Sequence, residues 1–428
     1  MKDFDEIRPY ETGEMRQAFE ELLDDRQFNT VLKGFAPWLP KFLRKGLLRL
    51  AFTGVETPLQ FQKRFMKPVV KYIIRKHTDG CTFDDEELRS KGVKESGNQH
   101  QTPNTQHPTP NTQHPTPNTQ PRYTFLTNHR DIVLDSAFLD VLLIDNGYPT
   151  TVEIGIGDNL LIYPWIKRLV RMNKAFIVRR GLTPRAMLES SQLMSRYIHH
   201  AVTEKHENIW LAQREGRAKD SDDRTQEAVL KMLAMGANTQ HLSPNTQHPT
   251  PITQHLTPLN IVPLTISYEY DPCDYLKAQE FQQKRDNPSF KKSRQDDLDN
   301  MRTGIFGYKG RVHYHCAAPI NTWMDELKDL SKNEFYTALA QRIDTELHRN
   351  YRLYPINYCA ADLLSGKGEF IAHYTEKDRL NVEDYIAQQI AKITLPEKDV
   401  PFLRERILTM YANPLKNCLR SKEMGSKE

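Results

Sequence analysis

Between residues 122 and 320 the apolar positions fall into short runs that alternate with stretches of helical period. "RYTFLTNH" (122–129), "TTVEIGIG" (150–157), "KAFIVRRG" (174–181), "NIWLAQREGR" (208–217), "NIVPLTISYEY" (260–270) and "GRVHYHCAAPI" (310–320) are short and rich in β-branched and aromatic residues, which predicts strands. "SAFLDVLLIDNG" (136–147), "PWIKRLVRMN" (164–173), the long capped "TPRAMLESSQLMSRYIHHAVTEK" (183–205) and "RTQEAVLKMLAMG" (224–236) predict helices between them. Strand and helix in alternation predict an α/β domain over 121–330, with a mostly parallel sheet flanked by helices and the chemistry in the loops after the strands. Residues 1–97 read as helical, with "GEMRQAFEELL" and "TPLQFQKRFMKPVVKYIIRKH" the clearest stretches and Pro68 starting or kinking the second. Residues 331–428 read as largely helical.

Two segments break the pattern. "NTQHPTPNTQHPTPNTQ" at 104–120 repeats a seven-residue unit, and a worn copy, "NTQHLSPNTQHPTPITQHLTP", returns at 238–258. With the residues just before the first, taken as 98–120 and 238–258, they carry six of the fifteen histidines (His100, His107, His114, His241, His248, His255). In an extended Pro-rich chain at about 3.1 Å per residue, successive imidazoles stand roughly 20 Å apart, too far for one ion. Translating the nucleotide heptamer CACCCAA through three frames yields His-Pro-Thr-Pro-Asn-Thr-Gln, so both segments read as DNA-level repeat expansions. We expect 98–120 and 238–258 to be disordered, dispensable surface insertions.

Charge adds a second feature to the N-terminal region. The net charge is only +4, but Lys41, Arg44, Lys45, Arg49, Lys63, Arg64, Lys67, Lys71, Arg75 and Lys76 face Glu56 alone between residues 35 and 76, interleaved with Trp, Phe and Leu. Such amphipathic basic stretches suit an anionic membrane surface. No run of eighteen apolar residues occurs, and the acidic, polar start has no signal-peptide pattern. Five scattered cysteines (Cys81, Cys273, Cys316, Cys359, Cys418) argue against a disulfide framework. Together these predict a cytoplasmic protein attached peripherally and electrostatically, through the basic window 35–76, to the inner face of the cell membrane. No nucleic-acid-binding motif is present.

Candidate chemistry gathers after the predicted strands. In "FLTNHRDIVLD", His129 follows an apolar run with Asp131 and Asp135 nearby, and an imidazole held by a carboxylate is a candidate general base. There is no Gly-x-Ser-x-Gly elbow, so the nucleophile would be a hydroxyl of the substrate. "KAFIVRRG" ends in Arg179 and Arg180, and "AQREGRAKD" carries Glu215, Gly216, Arg217 and Lys219; arginines suit phosphate oxygens, and a glycine lets backbone approach a ligand. His313 and His315 alternate beside Cys316, but with only those residues in view ordinary strand positions are the better reading than a metal site.

The order N-H-R-D-x-x-x-D, F-I-V-R, R-E-G-R and V-P-L-x-I-x-Y, spread over about 150 residues, resembles the four boxes of the glycerolipid acyltransferase family. That resemblance implies transfer of a fatty acyl group from acyl-CoA or acyl carrier protein to the hydroxyl of 1-acylglycerol-3-phosphate or glycerol 3-phosphate, with no cofactor or metal. It implies His129 as base, and Arg179, Arg217 and Lys219 on the acceptor phosphate. Glu215 would orient the arginines or bind the glycerol. The first box has five residues between His129 and Asp135 where the family has four, and the third lacks the Thr between Gly216 and Arg217. An extra residue absorbed in the turn leaves Asp135 as the partner of His129 and Asp131 as a helix cap. The competing expectations are a lyso-aminolipid acyltransferase and a non-catalytic membrane-surface protein on the same fold.

Overall fold

Short apolar runs flanked by turns need neighbours on both sides to satisfy their backbone, and here they find them in one sheet. The computed structural model describes residues 2–35, 37–92, 121–236 and 252–425. Its strands are β1 (Cys81–Asp84), β2 (Thr124–Thr127), β3 (Val152–Gly157), β4 (Ala175–Val178), β5 (Asn208–Ala212), β6 (Ile261–Tyr268) and β7 (Val312–Cys316). Their spatial order is β1-β7-β6-β2-β5-β3-β4. The five strands from β6 to β4 run parallel. β7 runs antiparallel to β6, and β1 runs parallel to β7. The chain is therefore α/β with a mostly parallel sheet, as the alternation predicts.

Both faces of the sheet are covered. On one, Phe125, Val262, Ile266 and Tyr314 pack against Phe138 and Leu142 of helix Leu134–Asp145 and Val70 and Ile73 of helix Lys67–His77. On the other, Leu126, Ile209, Leu211 and Ile261 pack against helices Pro184–Thr203, Glu227–Leu233 and Lys332–Arg349. β6 is buried along its whole length, which is why it reads as continuous rather than alternating apolar sequence. Helices Asp274–Asp286 and Arg294–Phe306 are inserted between β6 and β7. The C-terminal helices Pro355–Ser365, Glu376–Ala391 and Val400–Gly425 form their own apolar cluster, joined by Ala278.

Two boundaries differ from the sequence reading. Residues 1–97 are not only helical: they supply β1, whose four residues pair with a strand some 230 positions away, a contact no local pattern announces. Ile7 of the same region bonds to β4 through Ile177 N–H (2.8 Å) and enters the core. Pro68 stands in the first turn of helix Lys67–His77, as the sequence reading expects, and that helix follows directly on a π turn at Gln62–Met66.

The second difference concerns the repeats. Segments 98–120 and 238–251 lie outside the described residues, but the end of the second repeat is folded. Ile252–Leu256 is a helical turn followed by the tight turn Thr257–Leu259, with Leu256 and Leu259 fully buried and His255 Nδ1 3.1 Å from the carbonyl of Ala234. The physical reason lies in the wear of the repeat. Replacing Asn and Pro of the unit by Ile252 and Leu256 places two apolar residues four apart on one helical face that packs on the core, Leu256 fully and Ile252 partly buried. Leu256→Ala is expected to cost about 2–5 kcal/mol in urea unfolding. Bridging out 238–251 with a short Gly-Ser link should leave the midpoint nearly unchanged.

Candidate active site

β2 ends at Thr127, and the next two side chains have separate tasks. Asn128 is fully buried and completes the ladder to β6: its amide donates to the carbonyl of Ile266 (2.9 Å) and accepts from the N–H of the same residue (2.7 Å). With its neighbour so fixed, His129 leaves the sheet edge in a defined direction. Its ring meets Trp210 of β5 edge-on, with centroids 5.6 Å apart.

The turn after His129 is held by two aspartates. Asp131 accepts the N–H groups of Val133 and Leu134, both at 2.8 Å, and so starts helix Leu134–Asp145. Asp135 lies in the first turn of that helix, a favourable place for a carboxylate. Its Oδ2 receives the N–H groups of Arg130 (2.7 Å) and Asp131 (3.0 Å) and lies 2.8 Å from His129 Nδ1. Asp135, not Asp131, is thus the partner of the imidazole. A carboxylate oxygen that already accepts two N–H groups fixes the ring proton on Nδ1 and leaves Nε2 with its lone pair. Nε2 has no hydrogen-bond partner among the described residues. Burial, with Asp135 beside it, pushes the Asp131 carboxyl above its ordinary range.

Arg130 runs the other way. Its guanidinium is buried, 2.7 Å from Asp223 and over the ring of Tyr351. Asp223 also receives the Tyr351 hydroxyl (2.5 Å), and its carbonyl lies 2.8 Å from His348 Nε2. The histidine loop is therefore gripped from both sides, by its own helix and by the C-terminal helical region.

Because β2, β4 and β5 are parallel, the loops following them open at the same edge of the sheet. Those loops carry the predicted cations, and every one has a partner. Exposed Arg179 pairs with Glu6, and Arg180 with Glu215 at 2.9 Å. Gly216 turns with φ +70°, the left-handed region that favours glycine. Arg217 donates to Asn300 (2.9 Å). Lys219 pairs with buried Glu280, which Lys284 and Lys292 also reach. Burial alone would raise the Glu280 carboxyl, but Lys219 and Lys292 outweigh it and hold it at about 2. Lys219 is thus part of a structural ion cluster, whereas Arg179 and Arg180 sit in exposed pairs.

Several neighbours of the site were not legible locally. Trp210 reads as core, Asp223 as a turn residue, and Tyr351 and Asn300 come from the C-terminal and inserted regions. Gly304 is the sharpest case: a Cβ there would stand 2.1 Å from Asp131 Oδ2, so only glycine lets helix Arg294–Phe306 lie against the aspartate turn. Only the N-H-R-D string pointed toward any of them. Asp131→Ala should lower stability by about 1 kcal/mol through loss of the helix start, whereas Gly304→Ala should cost more by forcing that helix outward; urea midpoints of the two variants check both.

Comparison with known protein families and with curated proteins finds no match to this chain.

Proposed function

We propose that this chain is a membrane-associated O-acyltransferase of glycerolipid synthesis. It would transfer a fatty acyl group from acyl-CoA or acyl carrier protein to the hydroxyl of 1-acylglycerol-3-phosphate or glycerol 3-phosphate. The observation that carries the reading is the His129–Asp135 pair, with Nε2 free to accept a proton at the carboxyl edge of a parallel sheet. In the proposed step Nε2 takes the proton of the acceptor hydroxyl, and the hydroxyl oxygen attacks the thioester carbonyl. The tetrahedral intermediate collapses with loss of the thiolate, which regains the proton from the imidazolium. Asp135 stabilises the imidazolium and holds its orientation.

No covalent acyl-enzyme enters this scheme. Cys273, on the Arg217 side of the site, is not a ready nucleophile, since burial pushes its thiol up to about 12. For the acceptor phosphate the better clamps are Arg179 and Arg180. Exposed ion pairs such as theirs with Glu6 and Glu215 are worth about 0–1 kcal/mol, so a phosphate displaces the carboxylates at little cost. Lys219 and Arg217, partnered by Glu280 and Asn300, act on the shape of the loop.

Membrane attachment, in this reading, uses helix Lys41–Phe52. Trp38, Phe42 and Leu50 are 80%, 72% and 69% exposed, with Leu43 and Leu47 also outward, while Leu48 and Phe52 pack inward on the N-terminal cluster. Four of the ten basic residues are already paired: Lys45 with Asp24, Arg49 with Glu20, and Lys67 and Lys71 with Asp145. A cation near an anionic surface contributes about 1 kcal/mol, and a fully buried side chain such as Phe or Leu about 1.5–3 kcal/mol. The apolar face therefore outweighs the charge, which revises the purely electrostatic attachment expected from the sequence. No helix among the described residues is long and apolar enough to cross a membrane.

Two experiments test the proposal. Purified protein given labelled acyl-CoA or acyl carrier protein with each acceptor should form a product ester. His129→Ala should abolish the reaction, and Asp135→Asn should lower turnover by several powers of ten, about 10⁴ by the precedent of a misplaced imidazole tautomer. Full activity of folded His129→Ala protein would overturn His129 as the base, and vesicle binding by a wild-type chain that forms no ester would leave a membrane-surface protein as the surviving reading. In flotation with anionic vesicles, high salt should release only part of the protein, and Phe42→Ser with Leu50→Ser should release most of it; complete release by salt alone would restore the electrostatic account.

A further inference from the structure

His313 and His315 are two apart on β7, so the pleat turns both imidazoles to one face of the sheet. The sequence offered no third ligand near them. It comes from β1, the edge strand absent from the sequence reading, where Asp84 lies directly opposite His315 and Thr82 opposite His313. One ligand atom each from Asp84, His313 and His315 lies within 4.8 Å of the others. Around a common ion at about 2.1 Å from each donor, tetrahedral geometry sets donors about 3.4 Å apart, a gap that side-chain rotation closes.

Two further observations point to a ligand here. His315 Nδ1 lies 3.1 Å from Asp84 Oδ2, while its Nε2 is buried and has no hydrogen-bond partner among the described residues, with Glu87 Oε1 3.9 Å away. A buried ring nitrogen left without a partner costs free energy unless something pairs with it. The surroundings also have the arrangement of an outer shell. Thr82 Oγ1 lies 2.7 Å from His313 Nδ1 and 3.4 Å from the carbonyl of Val312, so it can accept a ring N–H and pass its own proton on. That is how a hydroxyl orients a histidine whose other nitrogen binds metal.

We propose that Asp84, His313 and His315, with Glu87 as a fourth donor, form a site for one dication of the zinc class that clamps β1 to β7. Two imidazoles and carboxylate oxygens suit zinc and its neighbours better than calcium or magnesium, which prefer all-oxygen shells. The site lies on β7 and β1, separated from β2 and His129 by β6, and is independent of the acyl-transfer proposal. Two cations oppose it: Arg352 Nη1 stands 3.5 Å from His313 Nδ1, and Arg349 stands 3.9 Å from Glu87 Oε2. They lower the affinity, and this makes them a test. Arg352 is exposed, and removing its charge should tighten the metal rather than loosen it.

The full-length protein, stripped with a chelator, is dialysed against zinc and the bound metal counted by mass spectrometry. We expect one zinc per chain above any held by the repeat histidines, lost in His315→Ala and in Asp84→Asn, with folding checked by circular dichroism. Arg352→Gln should bind zinc several-fold more tightly. Equal uptake by His315→Ala protein, or an affinity unmoved by Arg352→Gln, overturns the site. Should the histidine variant not fold, cobalt in the wild-type chain decides: four-coordinate visible bands that Asp84→Asn weakens support the site, and their absence overturns it.

Discussion

One carboxylate oxygen organises the candidate site. Asp135 Oδ2 gathers the N–H groups of Arg130 and Asp131 and the imidazole of His129. Each bond alone contributes about 1 kcal/mol net, but together they close the turn between β2 and its helix and direct the ring. The ends of the turn are fixed as well: Asn128 is locked to β6, and Asp131 starts the helix.

That hub is buttressed from the far side of the loop. Breaking a buried ion pair such as Arg130–Asp223 by removing one partner costs about 3–5 kcal/mol, mostly because the other charge is left stranded. Tyr351 and His348 at the end of helix Lys332–Arg349 satisfy much of Asp223. The C-terminal helical region is thereby coupled to the loop that carries the proposed base, which gives these helices a positional role that their own sequence does not disclose. The inserted helix Arg294–Phe306 works similarly, reaching Arg217 through Asn300 and Asp131 through the bare backbone of Gly304.

How much of this could be read in advance depended on how local the cause was. The six strands from 122 to 320 were legible because burial on both faces writes itself as short continuous apolar runs, and so were four helices before β6, whereas the inserted helices Asp274–Asp286 and Arg294–Phe306 were not. The division of labour between Asp131 and Asp135 was legible too, since an aspartate just before an apolar helical run is a cap signal. β1 was hidden because four residues with mixed burial carry no period, and their partner is far along the chain. The folded end of the second repeat was hidden by the repeat itself: the polar, Pro-rich unit masks Ile252 and Leu256, the substitutions that let it pack. The partners of Arg179, Arg217 and Lys219 were equally out of reach, because Glu6, Asn300 and Glu280 come from distant segments, whereas Glu215, expected to orient the arginines, does meet Arg180.

The central physical claim is that Asp135 fixes the single ring proton of neutral His129 on Nδ1 and leaves Nε2 open as the base. Nitrogen-15 NMR of histidine-labelled protein, taken at a pH where the ring is neutral, measures this directly. The account predicts a protonated Nδ1 and an unprotonated Nε2 for His129, with the two tautomers mixed once Asp135 is replaced by Asn. A ring protonated at Nε2 in the wild-type chain, or a tautomer unaffected by Asp135→Asn, would contradict it.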